Sequence, residues 1–173
     1  MNQPSVTAAC LGNTVWIRVE GRGTFHISSG MKDFSINMIR KGYREFVVDL
    51  GQCELMDSTF MGTLAGLALR LKEIGQGHLQ VIQPNSRNAM LLENLGLDQL
   101  FVVRKLGDPD TPQLPEGALM VKATRPASDP EEARQTALSA HEALVEADAS
   151  NESRFRDVLD YLKQESSVGD SES

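Results

Sequence analysis

The sequence predicts an α/β domain, a mixed sheet with helices packed on it, extended at its C-terminal side by helices alone. Three observations carry this prediction. Two apolar-leaning runs near the N-terminus are separated only by Gly12-Asn13, the spacing of a tight hairpin. Beyond residue 25, short apolar strands alternate with segments of helical period, the pattern of parallel crossovers. After Leu106 the strand signals fade and a proline-rich stretch leads into alanine-rich, helix-forming sequence.

The elements follow in order. Val6 to Leu11 and Thr14 to Glu20 are the hairpin strands; in the second, Val15, Ile17 and Val19 alternate with Trp16, Arg18 and Glu20, so one face is buried. Gly21-Arg22-Gly23-Thr24 is expected to turn the chain into a helix over Ser29 to Lys41, stopped by Gly42. Phe46-Val47-Val48 is a continuous apolar run, typical of a central parallel strand covered on both faces. A helix from Ser58 to Ile74 places Met61, Leu64, Ala65, Ala68 and Leu71 on one face, and Gly75 and Gly77 end it. Leu79 to Ile82 is a strand, Pro84-Asn85-Ser86 opens a helix carrying Ala89, Leu91, Leu92 and Leu95 up to Gly96, and Leu100 to Val103 is the last strand. The order is β-β-α-β-α-β-α-β, an antiparallel start continued by parallel crossovers.

This body spans residues 1–106. Five of the seven prolines fall between Gly107 and Glu131, which marks residues 107–127 as a linker, with a short extended piece at Ala118 to Lys122. Ser128-Asp129-Pro130-Glu131-Glu132 is a strong helix start, with a capping side chain, proline in the first turn and acids at the positive end of the dipole. Residues 128–164 then read as two helices. The first is weakly apolar (Ala137, Leu138, Leu144, Val145); the second carries a stripe of Phe155, Val158, Leu159 and Leu162 that must be covered by its neighbour, by the body or by another copy of the chain. Residues 165–173 are expected to be disordered.

Charge follows the same division. Residues 1–110 hold 11 basic and 11 acidic side chains, whereas residues 111–173 hold 6 and 13, so the tail carries the whole net charge of −7. Neither part offers the basic patch that direct nucleic-acid contact requires. Cys10 and Cys53 lack metal-type spacing and suggest no disulfide framework. There is no signal-peptide pattern and no apolar stretch near the ~20 residues of a membrane span, so a cytoplasmic protein without membrane insertion is expected. No cofactor or metal site is legible.

The most informative stretch is Asp49 to Gly62, Asp-Leu-Gly-Gln-Cys-Glu-Leu-Met-Asp-Ser-Thr-Phe-Met-Gly. An apolar strand runs into a polar loop that delivers Asp57-Ser58-Thr59 to a helix N-terminus, where backbone N–H groups point outward unpaired. Such a hydroxyl beside a carboxylate serves as a helix cap, or as a place where an added phosphate changes what the surface binds. Together with Leu91-Leu92-Glu93-Asn94-Leu95-Gly96-Leu97 and the element order, this stretch resembles a STAS domain of the bacterial anti-sigma-factor antagonists, over about Val6 to Arg104.

The resemblance implies a non-enzymatic regulator of protein interactions. In that family the serine of the Asp-Ser pair is phosphorylated by a partner that is both serine kinase and anti-sigma factor. Only the unmodified form binds that partner, and a serine phosphatase resets the switch. Carried over, Ser58 is the phosphoacceptor, with Thr59 as an alternative, and Asp57, Ser58, Thr59 and Phe60 form the contact surface. Family members commonly carry glycine directly after the pair; here Phe60 stands there, expected either to pack into the core or to join the docking surface. Phosphorylation would add about −1.5 to −2 charges beside Asp57, and a partner shaped for a neutral hydroxyl would lose its fit.

Other readings are weaker. A STAS scaffold, or a cytosolic module of a transport assembly, would use Asp57-Ser58 for docking alone. A serine hydrolase would need a base; His26, His78 and His141 are the only imidazoles, none lies in a catalytic motif, and His78 and His141 are expected at the surface. Gly21-Arg22-Gly23 lacks the rest of a nucleotide-binding fingerprint, although Arg22 could touch a partner. Cys53 reads as a structural thiol.

Overall fold

The computed structural model describes residues 3–123, 125 and 129–170, with side chains as far as residue 164. Strands β1 (Ser5–Leu11) and β2 (Thr14–Gly23) form the expected antiparallel hairpin, turning at Gly12 with φ +60°. Helix α1 (Phe25–Arg40), strand β3 (Glu45–Met56), helix α2 (Ser58–Ile74), strand β4 (His78–Ile82), helix α3 (Ser86–Asn94) and strand β5 (Val102–Arg104) follow, with a 3-10 turn at Leu97–Gln99 before β5. A two-residue strand β6 (Val121–Lys122) precedes helices α4 (Pro130–Ala147) and α5 (Asn151–Asp170). The sheet order is β5-β4-β3-β2-β1-β6, parallel from β5 to β2 and antiparallel from β2 to β6.

The core lies between the sheet and its helices. Val15, Ile17 and Val19 of β2, and Phe46, Val48 and Leu50 of β3, meet Met31, Leu64, Ala65, Leu71 and Leu92 in one cluster. The period of two in β2 and the stripe of α2 produce these contacts directly. On the far face Trp16, Val47 and Ile82 form a smaller cluster covered by Leu11 and Leu114. Part of the proline-rich stretch thus lies across the back of the sheet. It ends by pairing Lys122 and Val121 with Thr7 and Ala8, and the Ala123 N–H donates to Val6 O at 2.9 Å.

Three differences from the sequence reading have local causes. Gly21-Arg22-Gly23 does not turn the chain: the three residues continue β2 and pair with Cys53, Leu55 and Met56, through register shifts at Arg18/Glu20 and Gly21/Arg22. The bulges let β2 and β3 run on past Leu50. Helix α1 starts at Phe25, before Ser29, because its buried first turns are made of small residues, Ser28, Ser29 and Gly30, which apolar periodicity does not detect. Helix α5 continues to Asp170, through most of the stretch expected to lack structure.

The extension does not form a separate body. Ala143 and Leu144 of α4 belong to the same core cluster as the sheet, and Phe155 of α5 packs against it. Asp129 caps α4 by accepting the Glu132 N–H at 2.7 Å, while Ser128 of the expected helix start lies outside the described residues.

Candidate functional site

Strands β2 and β3 end side by side and release α1 and α2 from neighbouring points. Asp57 joins the two starts. Its N–H donates to Gly23 O at 2.9 Å; its Oδ1 accepts the Phe60 N–H and its Oδ2 accepts the Phe25 N–H, each at 2.8 Å. One carboxylate therefore caps α2 and holds the first N–H of α1, at the positive ends of two helix dipoles. This second duty of Asp57 is invisible in the sequence, because Phe25 lies 32 positions earlier.

Ser58 is the first residue of α2 and is half-buried. Its Oγ lies 2.9 Å from Nε2 of His141, a residue of α4. The His141 Nδ1 is 2.7 Å from Ala137 O, and a carbonyl can only accept, so Nδ1 carries the hydrogen and Nε2 is the acceptor of the Ser58 hydroxyl. The Phe155 ring sits edge-on to the imidazole, with centroids 5.2 Å apart at 67°. His141, only 3% exposed, was expected at the surface. That expectation is corrected, because α4 lies on α2 instead of standing free. His78 is exposed as expected and pairs with Glu45 at 2.8 Å.

The structure separates the residues grouped by sequence. Asp57 and Ser58 reach the surface in part, but Thr59 is buried and Phe60 is fully buried, its ring against Gly23. A Cβ at Gly23 would lie 2.9 Å from that ring, so glycine in β2 makes room for the aromatic in α2. Phe60 thus takes the first of the two places expected for it, the core, and Thr59, expected on the contact surface, is buried in the free chain. Leu159 and Leu162 are buried and Phe155 is half-buried, whereas Val158 is 40% exposed, on the edge of the stripe that α4 does not reach. Around Asp57, the exposed residues Arg22, Phe25 and His26 form a rim, the last two with stacked rings 4.0 Å apart.

Helix α4 is fixed along its length. At Gly62 of α2 a Cβ would come within 2.2 Å of Ala140 O, and at Gly66 it would stand 3.8 Å from the Ala143 Cβ, so α4 crosses α2 where α2 has no side chain. The Ser29 hydroxyl donates to Thr136 Oγ1 at 2.8 Å, and Lys32 Nζ to Ser139 Oγ at 2.9 Å. At the α4–α5 turn, Asn151 Nδ2 donates to Leu95 O at 3.0 Å and Leu144 O at 2.8 Å. Gly96 (φ +74°) lies against Asp148, which a Cβ there would strike at 2.3 Å. Apolar periodicity did not reveal that α4 docks on α2; the signal was present in the small residues Ala140 and Ala143, which lie against Gly62 and Gly66.

The chemistry of the site is that of a positioned hydroxyl. The Phe60 N–H, which could have faced an oxyanion, is taken by Asp57. A groove of about 720 Å³ between α1, α2 and α4 is lined by residues such as Ser35, Gly66 and Glu142 and includes neither Ser58 nor His141. Among the described residues no three His, Cys, Asp or Glu side chains gather as metal ligands, and no helix is long and apolar enough to cross a membrane. Burial pushes the Cys53 thiol above its ordinary range, and its Sγ donates to Leu55 O.

Residues 6–104 match the family model described as "Mlab, STAS domain". Two solved structures share the fold. The crystal structure of TM1081 from Thermotoga maritima, described as a candidate anti-sigma factor antagonist, is 17% identical over 58% of this chain and 86% of its own, with a TM-score of 0.54. An NMR structure of TM1081 gives 17% identity, coverages of 57% and 78%, and a TM-score of 0.53. The unphosphorylated anti-sigma factor antagonist SpoIIAA is a more distant match, 18% identical over 51% of this chain and 82% of its own, at a TM-score of 0.46. No curated protein matches the chain. The β1–β5 body with α1, α2 and α3 is the region covered by the model, and α4 and α5 lie beyond it. With more than half of its residues inside the match, the chain belongs to the STAS domain family.

Proposed function

We propose that the protein is a non-enzymatic, cytoplasmic regulator of protein interactions switched by phosphorylation at Ser58, an anti-sigma-factor antagonist. It binds an anti-sigma factor that is also its serine kinase, and a serine phosphatase restores the unmodified form. The observation that carries this reading is the setting of Ser58: the first residue of α2, in the matched region, beside Asp57 and the exposed rim of Arg22, Phe25 and His26. A dianionic phosphate there adds charge next to a carboxylate, at a surface where a partner would otherwise meet a neutral hydroxyl. The contact set is Asp57 and Ser58 with that rim.

Phosphopeptide mapping of the protein isolated with its partners tests the reading. Phosphate is expected on Ser58; Ser58→Ala is expected to retain the kinase partner and Ser58→Asp to lose it. An unmodified Ser58, with both variants binding alike, would sink the switch.

A second reading is favoured by the engagement of Ser58 with His141, which commits the hydroxyl to a contact within the protein. Here the protein is a scaffold or cytosolic module of a transport or signalling assembly unconnected with a sigma factor. A pull-down separates the two: an ATPase-fold kinase supports the first reading, a membrane transporter the second. The Ser58–His141 pair also has the atoms of a nucleophile and its base, but the neighbouring Phe60 N–H is taken by Asp57 and the groove between α1, α2 and α4 does not include the pair. Ser58 is accordingly expected to resist a fluorophosphonate probe; rapid labelling lost on His141→Ala would make the protein a hydrolase.

A further inference from the structure

We infer that α4 and α5 form a built-in cover over the Ser58 face, and that phosphorylation of Ser58 drives this cover off the body. The inference rests on Ser58 as phosphoacceptor and adds what the phosphate acts on first: the protein's own helix. Three contacts make Ser58 and α4 mutually exclusive with a phosphoryl group. The hydroxyl already spans the 2.9 Å to His141 Nε2, a gap that leaves no room for three more oxygens. The imidazole is held by Ala137 O, backed by the Phe155 ring and buried, so moving it aside breaks contacts that it makes within the extension. The helix backbone cannot yield by sliding closer, because Ala140 O already rests on Gly62. Ser58 also follows Asp57 directly in the chain, and that carboxylate adds negative charge beside an incoming dianion.

Transfer of the γ-phosphoryl group from a nucleoside triphosphate forms the Oγ–P bond and breaks the bond to the diphosphate, which leaves. The hydroxyl proton goes to the kinase's base. In the closed form that proton is donated to His141, so modification proceeds from the minor population in which α4 has lifted. Each phosphate added then prevents reclosure. The state of the tail thereby follows the state of Ser58: the faces of α1 and α2 that α4 covers are open in a minor population of the unmodified protein and in most of the modified one.

The experiment is amide hydrogen exchange, read by mass spectrometry, on the full chain with phosphoserine genetically installed at position 58. Peptides of α4 and of α5 to residue 164 should exchange at least ten-fold faster than in the unmodified chain, while β2, β3 and β4 keep their protection. Gly62→Leu, which sets a side chain against Ala140 O without any phosphate, should give the same pattern. Unchanged exchange in α4 and α5 of the phosphoserine chain overturns the inference. So does equal loss across the strands, which would mean that the cover is not separable from the body. Because the phosphate is installed without a kinase, failure of phosphopeptide mapping would remove the sigma-factor reading and leave this result standing.

Discussion

The body and the extension are held together by different kinds of contact. Inside the body, burial is carried by large side chains: Phe46, Phe60, Leu64, Leu71 and Leu92 are each 1% exposed or less. Two of its buried hydroxyls serve backbone one turn back, Thr63 donating to Thr59 O and Ser28 to Thr24 O. The extension brings mainly Ala140, Ala143, Leu144, Leu159 and Leu162, and with them Arg134, Thr136, His141 and Asn151 as buried polar side chains. Three of those four, Thr136, His141 and Asn151, reach across to the body. Alanines remove little apolar area from water, at about 25 cal/mol per Å². The docking of α4 therefore depends on directional bonds and on the close approach at Gly62. The body tolerates errors of shape in proportion to volume, whereas the extension reads the placement of single atoms.

That contrast can be broken at its strong end first. Phe60→Ala should destabilise the whole protein by about 3–5 kcal/mol, because the ring is fully buried against Gly23. Urea unfolding followed at Trp16 would measure it. A change under about 1 kcal/mol would contradict the assignment of Phe60 to the core.

Asn151→Ala should cost about 1–3 kcal/mol, since Leu95 O and Leu144 O each lose a donor. Its loss should fall on exchange protection of α4 and α5 and spare β3. Equal loss in both regions would erase the contrast.

Acid should produce a smaller effect of the same polarity. Within the extension, the Asp148 carboxyl is held below its usual range by the Ser150 hydroxyl and N–H, and that of Glu131 by Arg134 and Gln135. A lowered carboxylate pKa stabilises the fold above the ordinary values of 3.8 and 4.5, and this contribution is lost as pH falls through the lowered ones. Exchange corrected for its intrinsic pH dependence should show the α4–α5 turn loosening below that range.

His78→Ala is the weakest test. Its ion pair with Glu45 is solvent-exposed, and a change within about 0.5 kcal/mol is expected in the same unfolding assay.

Much of the body was legible because its elements obey simple periods. The apolar run of β3 and the α2 stripe map onto buried faces as read, and so do Val15, Ile17 and Val19 of β2, although Trp16 on the opposite face of β2 is buried as well. The limits of α2 are those expected, because Asp57 and Gly75 are local signals. The site was legible only in its local half. Asp57-Ser58 could be read as a helix start, but nothing near residue 58 reveals a histidine 83 positions later. Phe60 was ambiguous for the same reason: its room is provided by Gly23, on another strand. Docking through alanine and glycine leaves a faint hydropathy trace, so α4 read as weakly apolar although it packs on α2 and reaches Ser58.

The small strand β6 has a consequence for how this cover behaves once it lifts. Ala123 is pinned to Val6, and α4 begins at Pro130, so seven Cα steps tether the helices to the sheet. Such a tether spans at most about 25 Å. A released cover would therefore remain at an effective concentration on the order of millimolar around its own docking face. A partner competing for that face would meet this local rival at every encounter, whatever the total amount of protein in the cell. Loosening β6, far from Ser58, would weaken the rival without touching the site.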